Sequence, residues 1–269
     1  MTREMIIKEL KARGYNAEAV ESVKNGVVME GVSIRTNKKI SPIIYTSDMI
    51  SYAKVNNLPV TWVIDEILDI YNAHIDFDFD HELFFNRNFL SQNVYVGFQK
   101  TSTEDILRRE SEFAGIEMYL YIKGSEWTVK ANKVILEQAN ITEDILWVCA
   151  INNTVKESQM ESIWKTVCEL QNIPYREEME EDCTIYILTN KDKFRGASAI
   201  LNKQLLVEFA DKYHASKLVV IPSSIHEMII MPYTNELSID DLKSLVANVN
   251  LTAVDPTERL TDEVYIVEV

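Results

Sequence analysis

The sequence predicts an α+β protein, a mixed and mainly antiparallel sheet with packed helices. Three observations carry this reading. Apolar runs of strand length (Thr184–Leu188, Leu218–Ile221, Met228–Met231) lie close together in the chain. Segments with apolar residues at i, i+3, i+4 and i+7 are scattered among them. A chain of 269 residues, 46% of them hydrophobic, can bury a sizeable core.

The stretch from 184 to 232 gives the most compact unit: strand, polar loop to Gly196, helix from Ala197 to Tyr213, strand, strand. Its helix is expected to bury Ala199, Ile200, Leu205, Leu206 and Phe209. Ahead of it, residues 4 to 12 read as a helix stopped by Gly14. A second helix is expected over Ala17–Lys24, ended by Asn25-Gly26. Val27–Ile34 and Ser41–Tyr45 then form a pair of antiparallel strands. The pattern turns helical from Asp48, breaks at Leu58-Pro59 and resumes through Val63, Ile64, Ile67, Leu68 and Tyr71. From His74 to Glu82 apolar and acidic residues alternate strictly, as in a strand, and the first of two units is expected to end there, at 1–82, leaving 83–269 as the larger.

In the second unit, Asn93–Phe98 and Ile116–Ile122 read as strands, with a helix capped by Thr103 between them. Val134–Gln138, a helix capped by Thr142, and residues 158 to 171 follow as helices. Glu177–Asp182 is a solvated acidic loop. Ser238 caps a helix over Ile239–Val249, and Val264–Val267 closes the chain as a strand. Trp62, Trp127, Trp147 and Trp164 sit on apolar faces and are assigned to the core.

A formal charge of −15 argues against nucleic acid or an anionic membrane as partner; a basic protein is the natural long-range partner for it, and keeping a cytosolic protein soluble accounts for the acidity better still. Three cysteines, Cys149, Cys168 and Cys183, cannot all pair within the chain and form no C-x-x-C, which fits a reducing compartment. The N-terminus has no uninterrupted apolar core and no run approaches a spanning length, so a cytoplasmic location is expected.

Three clusters carry chemistry. Asp76, Asp78 and Asp80, with His74, His81 and Glu82 nearby, are the densest set of metal-ligand types. A calcium loop needs Gly and Glu where His81 and Arg87 stand, so no metal is expected there. Ser224, His226 and Glu227 are the raw material of nucleophilic catalysis, yet they are sequence neighbours without a nucleophile elbow. A turn held by its serines and anchored by His226 explains them as well. Lys191, Lys193 and Arg195 precede a helix start and could receive an anion or a partner, or pair internally with Glu177–Asp182.

The stretches Asn25–Ile34, Ile40–Tyr45, Ala150–Thr154, Thr189–Ala197 and Ile221–Glu227 resemble a family of uncharacterised proteins of gut Firmicutes. The Pro-Ser-Ser-Ile-His-Glu string is the most specific piece. The resemblance implies a bacterial, cytoplasmic setting and assigns no catalytic residue. The expected function is a non-enzymatic binding or regulatory protein that turns an acidic surface toward a protein partner, with no cofactor. The alternative is a hydrolase using Ser224, His226 and Glu227, or a metal near Asp76, Asp78 and Asp80.

Overall fold

The computed structural model describes residues 1–36, 41–75, 80–125 and 127–269. The fold is α+β, and every strand pairing among the described residues is antiparallel. The chain divides into two compact units, Met1–His81 and Glu82–Val269.

In the first unit α1 (Arg3–Ala12) is capped by the Thr2 hydroxyl, which accepts the Met5 N–H. The strands β1 (Ala17–Lys24), β2 (Val27–Ile34) and β3 (Ile43–Tyr45) follow, then α2 (Ser47–Val55) and α3 (Val60–His74). Residues 17–24 are therefore a strand, where a helix was expected. Asn25 and Gly26 both adopt positive φ, +49° and +80°, and make a two-residue turn whose twist matches paired strands. Lys24 pairs with Val27, and the register runs unbroken to Ala17 opposite Ile34. The sheet order is β1-β2-β3. Ile6, Leu10, Val32, Ile34, Ile44, Val63, Ile64 and Ile67 fill the core between sheet and helices.

The second unit holds two sheets. A 3-10 turn (His81–Phe85) and α4 (Arg87–Asn93) lead into β4 (Val94–Lys100), β5 (Arg108–Glu110), β6 (Ile116–Lys123) and β7 (Thr128–Lys130). After α5 (Lys133–Ala139) and α6 (Glu143–Glu157), the chain enters β8 (Ser158–Ser162) and α7 (Ile163–Gln171). A 3-10 turn (Glu177–Glu180) precedes β9 (Tyr186–Asn190), a 3-10 helix (Gly196–Leu201) and α8 (Lys203–Lys212). The hairpin β10 (Lys217–Ser224) and β11 (Glu227–Pro232), α9 (Ile239–Thr252) and β12 (Tyr265–Glu268) complete it. One sheet has β6 paired with β4, β5 and β7; the other has the order β12-β10-β11-β9-β8. Strands from the 184–232 stretch, β9, β11 and β10, are thus neighbours.

Three expected helices are altered. Residues 158–162 form a strand because Met160 pairs with Leu188 along the edge of β9. No helix starts at Thr103, since the segment is held flat by a buried polar cluster. Gln99 donates to Glu104 at 2.9 Å and to Glu117 at 2.8 Å. Lys130 donates to Glu104 at 2.6 Å, Ser102 to Glu117 at 2.8 Å and Arg108 to Glu117 at 3.2 Å. The 197–213 helix breaks at Asn202, whose side chain caps α8 by accepting the Leu205 N–H. This rotates Leu205 to a half-buried position, while Leu206, Phe209 and Ala210 are buried. Of the tryptophans, Trp147 is core, whereas Trp164 is exposed.

Replacing Leu206 by Ala should cost about 2–5 kcal/mol in urea unfolding, and the same change at Leu205 clearly less. Equal losses would contradict the break at Asn202. Burial raises the Glu104 carboxyl, but hydrogen bonds from Lys130 and Gln99 outweigh it and hold the group below its ordinary value. The stability it contributes is present above the unfolded carboxylate range, about 4.3, and is lost as pH falls through the lower folded value. The Glu104→Gln variant should therefore show a flatter acid limb in stability against pH; parallel limbs would remove Glu104 from that role.

Candidate functional site

The 3-10 helix Gly196–Leu201 packs against β4 of one sheet and β9 and β11 of the other, and its first residues and the loop before it meet the turn Pro222–Glu227. Arg195 donates its backbone N–H to His226 Nδ1 at 3.1 Å, and Thr189 Oγ1 donates to the His226 carbonyl at 2.8 Å. Ala197 donates to the Ile225 carbonyl, and Ile225 to that of Glu258. A side chain at Gly196 would meet Thr189 Oγ1 at 2.3 Å, the Asn190 nitrogen at 2.6 Å and the His226 oxygen at 2.7 Å. Only glycine fits there.

The serines serve the same turn. Ser224 Oγ accepts the His226 backbone N–H at 3.0 Å, and Ser223 Oγ donates to a Glu227 carboxylate oxygen at 3.1 Å. The Ser224 hydroxyl is thus given to the backbone of His226. The imidazole itself is engaged at both nitrogens. Since Nδ1 accepts from Arg195, the neutral ring carries its proton on Nε2, which faces Glu258 Oε1 at 3.3 Å. Glu258, distant in sequence, has no motif around it that could have announced this contact.

The cations of the preceding loop do not converge. Lys191 is exposed. Lys193 pairs with Glu161 at 2.8 Å and Glu169 at 2.5 Å, so its internal partners lie on β8 and α7 and not in the 177–182 run. Arg195 turns inward and donates to the buried Tyr119 hydroxyl, with Phe194, Tyr119 and Tyr121 ringing its guanidinium at 5.2, 5.8 and 5.7 Å. Burial raises the Tyr119 phenol above its ordinary value against the lowering pull of Arg195, so it stays protonated. Lys193 and Arg195 both hold left-handed backbone, at +53° and +52°, an uncommon state for such residues. This junction is built as a lock between the sheets.

Asp76 and Asp78 lie outside the described residues. Of their neighbours, His74 ends α3 with Nδ1 2.8 Å from the Ile70 carbonyl, and His81 begins a 3-10 turn, so both flanks of the expected strand are helical. Asp80 is exposed just before that turn.

The acidic run is organised differently. Residues Glu177–Glu180 coil into a 3-10 turn that is folded back on α7, because Met179 lies with its sulfur 3.8 Å from that of buried Cys168. The Tyr175 phenol, pushed up to about 12 chiefly by its hydrogen bond to Glu180, ties the entry to the turn. Among the described residues, Glu177, Glu178, Glu181 and Asp182 make no ion pair, and all four are exposed. A field of unpaired carboxylates is thereby fixed at the C-terminal end of α7, where the helix dipole adds further negative potential.

The stretches that suggested a relationship, Thr189–Ala197 and Ile221–Glu227, are thus halves of one junction. A family model matches residues 2–268. The chain belongs to the DUF5688 family. This is a family of unknown function, and both units fall within the match. No curated protein and no solved structure matches the chain.

Gly196→Ala should destabilise the second unit by about 1–3 kcal/mol through overpacking at the junction. Denaturant unfolding checks this, and an unchanged midpoint would show that the contact with Thr189 and His226 relaxes freely.

Proposed function

We propose that this member of the family is a non-enzymatic binding or regulatory protein of the bacterial cytoplasm, which meets a basic protein partner through an acidic surface. The observation that carries the reading is the 177–182 run. The turn is packed on α7, four of its five acids are exposed, and none of the five makes an ion pair among the described residues. Fixed unpaired charge of this kind contributes little to stability and serves encounter. Three free thiols suit a reducing compartment.

The hydrolase alternative gains no support from the geometry of His226. A general base must offer a lone pair to the hydroxyl it activates, and the one lone pair of the neutral ring is taken by the Arg195 N–H. Activation of Ser224 would require the junction to open first.

The test is the association rate with the partner captured from the native host, measured by stopped flow over a salt series. The rate should fall by about tenfold between low and high salt. Replacing the exposed Glu177, Glu178 and Glu181 by Gln, and Asp182 by Asn, with Glu180 kept for its bond to Tyr175, should slow it at low salt without shifting the unfolding midpoint. A salt-independent rate, or a neutralised variant as fast as the parent, would assign the acidity to solubility alone.

A further inference from the structure

The neighbour of the acidic run is an amphipathic helix whose apolar face is only partly covered. At 100° per residue, Leu170, Ile163, Val167, Trp164 and Cys168 fall within an arc of about 160° on α7, interrupted by Gln171 alone. The body of the unit covers one side of that arc. Cys168 is 1% exposed, whereas Trp164 is 44% and Leu170 82% exposed, and Ile173, just past the helix cap, is 44% exposed. Lys165 and Glu169 occupy the polar side and are engaged in ion pairs with Glu161 and Lys193.

The arc is built to remain in place when uncovered. Asn172 caps the helix in left-handed backbone, and Ile173 donates its N–H to the Cys168 carbonyl at 3.0 Å, which fixes the end of the ridge. Trp164 to Leu170 spans about 9 Å along the axis, so two to three turns of a second helix cover it by ridge-into-groove packing. Trp164 and Leu170, about 120° apart on the wheel, flank the half-buried Ile163 and Val167, and such a ridge of partly uncovered apolar residues rimmed by charge has the composition of an interaction site.

The rim selects the occupant. Between Asn172 and Asp182 a single cation, Arg176, stands among five acids. A second copy of this chain would bring two bodies of formal charge −15 together, whereas a basic segment reverses the sign of that term. We infer that the α7 face binds an amphipathic helix of a partner protein, with apolar residues at i, i+3, i+4 and i+7 set against Trp164 and Leu170, and Lys or Arg at the end beside Glu177–Asp182. This rests on the acidic-surface reading above and adds the apolar anchor to it.

The probes are two synthetic peptides of about five turns with identical Leu, Lys and Ala content. In one the leucines follow the helical spacing, and in the other they are spread around the helix. Fluorescence anisotropy with the full chain should show the ordered peptide binding about tenfold more tightly, and Leu170→Asp should remove that advantage while Leu170→Met retains it. Because Leu170 is exposed, an unchanged unfolding midpoint for Leu170→Asp confirms that the fold is intact. Equal binding of the two peptides, lost on neutralising the 177–182 acids, would overturn the apolar anchor and leave the electrostatic reading standing. Binding of neither peptide would overturn both. A concentration-dependent dimer in sedimentation velocity, abolished by Leu170→Asp, would make the occupant a second copy and overturn the inference.

Discussion

The second unit depends on the close approach of Gly196 to the His226 carbonyl. That contact lets the short helix Gly196–Leu201 sit between the two sheets, and other bonds follow from it. Ser198, buried, donates to the Val96 carbonyl at 2.5 Å, and Thr154 of α6 accepts the Val96 N–H at 3.0 Å. Together they satisfy both backbone groups of Val96 on the outer edge of β4, which would otherwise be unpaired. On the other side, Arg195 reaches the aromatic face of β6, so one residue type at one position joins both sheets. Any side chain at 196 would press on Thr189, Asn190 and the His226 carbonyl at 2.7 Å or less, so one of them must shift.

This constraint explains why the most suggestive motif of the chain does structural service. Hydroxyl, imidazole and carboxylate stand together at 223–227, but each is spent on a turn that must accept the 189–197 segment. The chemistry is real and the geometry directs it inward. Acids without an ion pair among the described residues lie elsewhere, at Glu177, Glu178, Glu181 and Asp182, close to the exposed Trp164 and Leu170 of α7.

Much of the fold was legible in the residues, because strands such as β6, β10 and β11 are continuous apolar runs bounded by turn signals, and Thr142 and Ser238 announce their helices as caps. Errors arose where two periods fit one segment. Residues 17–24 suit helix or strand until the Asn25-Gly26 turn is read for its backbone twist and not as a helix stop. Residues 158–162 were fused with α7 because no breaker separates them; only pairing with β9 draws the boundary. That merged helix also hid Trp164, which falls on an apolar arc wider than the body covers. The wheel of 163–171 taken alone places Trp164 and Leu170 on either side of Ile163 and Val167 in one apolar arc and would have found the face. Glu258 and the Tyr119–Arg195 contact had no local signal, since both depend on tertiary folding.

The division of labour between an inward junction and an outward face is most directly tested by hydrogen exchange on the full chain, free and bound to its captured partner. Protection should rise across 163–182, with the amides of 189–197 and 222–227 unchanged because they are already bonded in the free protein. Protection concentrated in 222–227, with 163–182 exchanging as in the free chain, would contradict it and place the working site at His226.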